Sequence, residues 1–385
     1  KETSKTNAFI ILLFLVQLCG TASTYFLSYR RTIFFAKQRD FVNTLADMVA
    51  NIIFSILKIL SLVFFSNYII YLALQIAQNY FSNLIISILC KKQYPEYFEK
   101  KREEIDKYET KQLTKDVFKQ IKEVAFGKFA VYIHSSTDNI ILSIFDSLTS
   151  IGLLSNYYLF TSTITTFLNK LLDPIQAGLG NKIQVESDSK SKEGTYYVFQ
   201  FLQCAIGAVV ASGIITFINP AIKIFFGEQF LLSDEIVLVI GINLYLDILQ
   251  RPSCNMINAA GLFKFDKFSS FAGASTNLIL SMILVSQWGL IGVLIGTTIS
   301  QMVFLVFRSS IVLRAYLKIS VMRFWCIVFK FTFFLAGFST VGYFFISNYV
   351  QNFFFLCIFA IAWVVVTVTV LLGAFWYNPE CKFYV

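Results

Sequence analysis

The sequence predicts an all-α integral membrane protein with about eleven transmembrane helices, and three observations carry that prediction. Long stretches hold no charged residue: Thr6 to Tyr29, Phe268 to Phe307 and Phe331 to Pro379. A bilayer crossing needs about 20 apolar residues in a helix, so the two longer runs have room for two crossings each. The composition is 56% hydrophobic and 14% charged with 43 Phe, against about 25% charged in soluble domains. Finally, 25 of the 32 Lys and Arg fall on alternate breaks between apolar runs, and only Lys1, Lys5 and Lys223 fall on the opposite set. Cytoplasmic loops retain positive charge, which places the C-terminus inside and Lys1 outside. Strands of a membrane barrel would be segments of about 10 residues with polar alternation, and the unbroken runs exclude them.

Each span follows from a run and its break. The first, 7–29, closes at Arg30-Arg31. The second and third, 44–65 and 68–90, are parted by Ser66-Asn67. The fourth and fifth, 125–146 and 148–169, divide at Ser147. The sixth, 197–218, ends at Asn219-Pro220, and the seventh, 236–260, is interrupted by Arg251-Pro252. The eighth and ninth, 268–287 and 289–313, divide at Trp288-Gly289, and the tenth and eleventh, 323–346 and 352–376, flank 347–351. The breaks at Pro174, Pro220 and Pro252 are candidate bending points. Gly289, Gly292 and Gly296 give the ninth span a small-residue face for close helix packing.

The seven cysteines are scattered, mostly within apolar runs, and the chain has one histidine. No disulfide framework or metal site is expected. The net charge of +9 follows the membrane topology, so no nucleic-acid partner is expected.

Charged groups at bilayer depth are costly and usually face a cavity or a partner. The fourth span is the richest in them. Lys128, Tyr132, Ser135, Asn139, Ser143 and Asp146 recur at spacings of one helical stripe, which is expected to line an aqueous substrate cavity or a helix interface. Beside it, His134 and Asp138 stand i, i+4. Asp138 is the candidate for coupling to H+ or Na+, since a carboxylate in lipid needs neutralising, with His134 as its proton-sharing neighbour. No other cofactor is expected. Arg308, Lys330 and Lys58 are candidates for holding an anionic headgroup or for snorkelling to an interface.

A short pattern recurs six helices apart: Arg39-Asp40-Phe41 with Asn51-x-x-x-Ser55, and Asp266-Lys267-Phe268 with Asn277-x-x-x-Ser281. Parallel six-helix repeats are the plan of two-lobed transporters. The expected organisation is therefore 1–90 as the rear half of an incomplete first lobe and 91–124 as a mixed-charge cytoplasmic linker. A complete six-helix lobe at 125–314 follows, then two additional helices and a cytoplasmic tail at 315–385. A start at Lys1, without methionine and counted as outside, adds to the expectation that three leading helices are missing.

The run Ser136-Thr137-Asp138-Asn139-Ile140-Ile141-Leu142-Ser143, followed by Ile151-Gly152 and Ser155-Asn156-Tyr157-Tyr158, resembles the seventh-to-eighth helix region of bacterial polysaccharide repeat-unit flippases. These are the O-antigen and capsule exporters of the multidrug/oligosaccharidyl-lipid/polysaccharide exporter superfamily. Tyr29-Arg30-Arg31-Thr32 with Ala36-Lys37-Gln38 is similar to that family's loop after helix four. Gly261-Leu262-Phe263, Asn277, Ser281, Gly289-Leu290-Ile291-Gly292 and Gly296-Thr297 are similar to its eleventh and twelfth helices. The resemblance spans about residues 25 to 310.

It implies a two-lobed exporter fold in a bacterial cytoplasmic membrane. The substrate would be an undecaprenyl-diphosphate-linked oligosaccharide, moved between leaflets by alternating access with no bond made or broken. The implied partners are that lipid-linked oligosaccharide, membrane lipids and a polysaccharide polymerase or other assembly proteins. By this resemblance Lys128, Asp138 and Asn139 fall on the cavity side; the candidate cavity set as a whole is Lys128, Tyr132, Ser135, Asn139, Asn156, Tyr157 and Arg308, with Asp138 and His134 as the candidates for ion coupling. Two rival expectations use the same features: a drug/cation antiporter on this fold, for which Asp138 would serve equally, and a membrane glycosyltransferase or polymerase. The short outer loops, with Asp234-Glu235 as their one acidic pair, disfavour the enzyme.

Overall fold

A chain crossing hydrocarbon must satisfy its own backbone groups, and helices do so within one segment. The computed structural model describes residues 2–37, 39, 41–65, 68–98, 107–185, 189–345, 349–350 and 352–375. Eleven helices follow one another: α1 (Glu2–Ser23), α2 (Tyr29–Ala36), α3 (Phe41–Phe65), α4 (Tyr68–Gln93), α5 (Lys107–Phe145), α6 (Leu148–Val185), α7 (Ser189–Phe225), α8 (Asp234–Ala259), α9 (Phe263–Ser310), α10 (Met322–Phe345) and α11 (Phe353–Phe375). The described residues contain no strand, and seven of the helices are long and apolar enough to cross a membrane. The chain divides into two compact units, Lys1–Asp106 and Lys107–Val385. That division falls within the 91–124 segment expected as a linker. Residues 99–106 of it lie outside the described residues, as does the 376–385 tail, and α5 already begins at Lys107.

The 48 residues of α9 would span about 72 Å as one straight helix, yet Asp266 and Arg308 at its two ends are joined side chain to side chain. The chain reverses at Gly289, whose φ of 55° lies where an L-residue is strained. The result is a hairpin of two antiparallel arms, 263–288 and 290–310. The expected break at Trp288-Gly289 is this turn. The small-residue face packs inside the hairpin: a Cβ at Gly292 would overlap the Leu284 carbonyl, and one at Gly296 the main chain of Ser281. A six-residue π-helix, Ile311–Tyr316, follows the second arm.

The expected first span, 7–29, lay too far along the chain: the helix begins at Glu2. It ends at Ser23, and residues 24–28 form a turn with Leu27 at φ 61° before the short helix α2. Local polar chemistry explains the break. Hydroxyls of Ser23, Thr24 and Ser28 bond back to carbonyls three residues earlier, a competitor to helical pairing. The Asn83 amide of α4 then donates to the carbonyls of Thr24 and Phe26, at 3.2 and 2.8 Å. Elsewhere helices pass through the expected breaks: α6 runs on to Val185, α7 past Pro220 and α8 past Pro252.

In the first unit α3 and α4 pair, with α1 and α2 against α4, around Phe34, Ala46, Ile86 and Cys90. In the second unit α7 is central, contacting α6, α8, α10 and α11, while α5 and α8 pack on the α9 hairpin. Its largest core cluster joins Tyr196, Cys204, Tyr245 and Leu249 to Phe324, Phe331 and Phe375. Phe331 and Phe375 stack at 4.8 Å. The two helices expected as additions, α10 and α11, are thus part of the second unit's core. The Trp363 indole donates to Ser212 Oγ at 3.2 Å.

A candidate ion site and its polar surroundings

The face of α5 that bears Asp138, beside the expected stripe, meets the α9 hairpin, the most extensive helix contact in the second unit. Asp138 is buried there, 7% exposed. Its Oδ2 accepts the Thr297 hydroxyl at 2.7 Å, and Thr297 Oγ1 in turn accepts the Asn277 amide at 3.0 Å. Ser281 Oγ and Thr297 Oγ1 both lie on the Val293 carbonyl, at 3.4 and 3.2 Å. Two acceptors in this cluster are buried with no hydrogen-bond partner: Asp138 Oδ1 and Asn277 Oδ1.

Buried acceptors are normally satisfied, and each exception asks for a proton or a ligand. One carboxylate among hydroxyl, amide and main-chain oxygens is a donor set for a small hard cation. It is also a place where a single proton satisfies Asp138. The residues fit either occupant. The proximity of Asn277, Ser281, Val293 and Thr297 follows from the Gly289 reversal, which brings the two arms into antiparallel register. Asp138 comes from 159 residues earlier.

The other expected site residues fall in three groups. Lys128, Ser135 and His134 stand on α5 with side chains outside the described set. Tyr132 and Asn139 are exposed on the protein surface and Asn156 is half-buried.

Tyr157 and Arg308 are committed elsewhere. Tyr157 is fully buried; its hydroxyl donates to Asn219 Oδ1 at 2.6 Å and accepts the Leu232 N–H at 2.8 Å. Asn219 passes the connection to Asp234, which also accepts the Tyr343 hydroxyl, so one network ties α6, α7, α8 and α10 together. Arg308, 8% exposed, does not snorkel. Its guanidinium holds Asp266 at 2.8 and 3.4 Å and Gln250 at 2.9 Å, with the Phe304 ring 4.7 Å away. It closes the base of the hairpin and joins it to α8. Beside it Arg251 pairs with Asp247 at 2.7 Å and with Asn169 of α6.

Sequence reasoning missed the partners of Asp138 and Arg308. The signal available was the turn at Gly289, because residues on either side of a hairpin turn meet at roughly equal separations from it. Applied to 289, that rule pairs Ser281 with Gly296 and brings Asp266 near Arg308.

Fold and site together define a multi-pass, all-helical membrane protein with a buried oxygen cluster inside one helical unit. No protein-family model matches this sequence, and no curated protein sequence does either. Among solved structures, the chain is similar to one described as lipid II flippase MurJ in an inward closed conformation. The TM-score is 0.60 at 16% identity, covering 94% of this chain and 74% of that one. The likeness is one of fold.

Proposed function

We propose that this protein flips a lipid-linked oligosaccharide across the membrane by alternating access, driven by H+ or Na+ bound at Asp138. The observation that carries this reading is the shared fold with a lipid II flippase over 94% of the chain. A lipid-linked sugar has a polar head that cannot enter hydrocarbon and a tail that can remain there, so flipping needs a hydrated path and no bond chemistry. The motifs around Asp138 and Asn277 support the finer assignment: undecaprenyl-diphosphate-linked repeat units for a surface polysaccharide, carried across a bacterial cytoplasmic membrane. A polymerase that consumes the exported unit is the proposed assembly partner.

The ion role rests on the orphaned Asp138 and Asn277 oxygens. Binding a cation there ties α5 to both arms of the hairpin, and releasing it frees them. An ion that binds one packing better than another shifts the equilibrium between them by that difference in affinity.

The test is transport of a fluorescent lipid-linked oligosaccharide in proteoliposomes under imposed Na+ or pH gradients. Transport that responds to one gradient, and loses the response in Asp138→Asn while the protein stays folded, is the expected result. Gradient-independent transport unchanged in Asp138→Asn removes the coupling role. Dye movement with no glycan movement selects the antiporter instead.

A further inference from the structure

In the first unit, polar side chains form a ladder along the α3–α4 hairpin. On α3, Asp47, Asn51, Ser55 and Lys58 recur at spacings of 4, 4 and 3 residues, one helical stripe. Facing them on α4 are Ser82, Gln78 and Tyr71. The Ser82 hydroxyl donates to Asp47, and the Gln78 amide donates to Asn51. Lys58 Nζ donates to Gln78 Oε1 at 2.9 Å and sits 5.6 Å from the centre of the Tyr71 ring.

The charges along this ladder are not balanced. Arg31 of α2 cancels Asp47 through a two-pronged pair at 2.8 and 2.9 Å, and Ser82 and Asn83 occupy the rest of its guanidinium. Lys58 has an amide and a ring as partners, and no carboxylate lies within ion-pair distance among the described residues. It stands about 10 Å from the Phe65 end of α3, within a helix long and apolar enough to cross a membrane. An ammonium with no anionic partner is costly in a membrane-spanning segment, so its retention asks for an anion. Asn51 beside it is exposed and Lys58 half-buried, so the rung is open on the surface of the unit. The neighbouring Ile56, Ile59 and Val63 are exposed apolar side chains suited to contact acyl or prenyl chains.

From this we infer that the Lys58–Gln78–Asn51 rung binds the phosphate of a membrane lipid, the ammonium taking the phosphate charge and the Asn51 amide adding a donor. Lysine is a point-charge phosphate ligand, and an anion reaching this depth arrives on a lipid tail. The phosphate has two sources, a polyprenyl diphosphate carrier or an ordinary anionic phospholipid. The carrier as occupant rests on the flippase reading; the phosphate site itself does not.

The experiment uses the full chain in nanodiscs and two probes: undecaprenyl diphosphate in phosphatidylcholine discs, and phosphatidylglycerol mixed into phosphatidylcholine discs. Retention of each is measured for the parent chain, Lys58→Gln and Lys58→Arg, with thermal unfolding as a check on integrity. Loss of a charged hydrogen bond predicts weakening of tenfold or more, on the order of the 1.5 to 3 kcal/mol such bonds contribute, in Lys58→Gln. Lys58→Arg restores binding. A loss confined to undecaprenyl diphosphate names the carrier as occupant. A loss confined to phosphatidylglycerol supports the phosphate site with phospholipid in it, and leaves the flippase reading to its own transport assay. Both probes retained equally by folded Lys58→Gln overturns the inference.

Discussion

Single side chains in this protein divide by whether their polar atoms are spent. Tyr157 spends its hydroxyl twice, so Tyr157→Phe leaves the Leu232 N–H without its partner and removes a donor from Asn219. The expected cost is about 1 to 3 kcal/mol, read as a lower unfolding temperature in detergent with little change in lipid binding. Arg308 is spent on Asp266 and Gln250. Removing one partner of a buried pair costs about 3 to 5 kcal/mol, so Arg308→Ala should destabilise strongly, and Asp266→Asn added to it should recover part of the loss. A headgroup ligand would behave differently, losing affinity while keeping stability. Glu228, in the short loop between α7 and α8, is held below the usual carboxylate range by Lys223 at 2.6 Å. Its folded pKa is depressed, so this tie is present above the ordinary carboxylate pKa and is lost as pH falls through the lower folded value. Glu228→Gln should flatten any acid dependence of loop proteolysis that sets in below the ordinary glutamate pKa of about 4.3.

At the scale of elements, the sequence located the long helices well and their neighbours poorly, for one physical reason. Hydrophobic runs report how far a segment can extend in lipid. They do not report which helix lies opposite. Seven of the eleven expected segments stood within five residues of their observed places; the fourth, fifth and sixth fall on helices that run well beyond them, and α2 went unseen because Arg30 and Arg31 read as loop charge, although its Phe34 is fully buried. The stripe on α5 correctly marked a polar helix, but the face bearing Asp138 packs on Asn277 and Thr297. Pro220 did not end the sixth span and Pro252 did not interrupt the seventh: α7 runs on to Phe225 and α8 to Ala259, and near Pro252 the Gln200 amide of α7 donates to the Leu249 carbonyl at 3.2 Å. The hairpin of α9 supplies the sharpest element-level prediction. Gly292→Val puts a branched side chain where the Leu284 main chain already stands, and should abolish folding, or cost well over the roughly 1 to 3 kcal/mol of ordinary overpacking. Gly152→Val, at a position with open space around its Cα, should be tolerated by comparison in the same expression and unfolding assay.

For the molecule as a whole, the alternation of basic breaks predicts a topology that can be checked independently of cargo. A cysteine placed at Gln229, in the loop after α7, should react with a membrane-impermeant thiol reagent in intact cells. One placed at Lys192, near the start of α7, should react only after the membrane is opened. The reverse pattern would invert the orientation. Exposed apolar side chains such as Phe333, 79% exposed, and Phe64, 74% exposed, would be an aggregation hazard in water. In a bilayer they are the protein's contact with lipid.

The turn at Gly289 also bears on how the chain reaches the membrane. The arms on either side of it carry Asn277 and Ser281 on one side and Thr297 on the other, groups that satisfy each other only when the arms are side by side. Neither arm can wait alone in hydrocarbon with those groups bare, and a turn this tight leaves no stretch of chain to park outside. The pair is therefore built to leave the ribosome's membrane channel together, as a closed hairpin, so the half of the buried oxygen cluster that it carries is assembled at the moment of insertion.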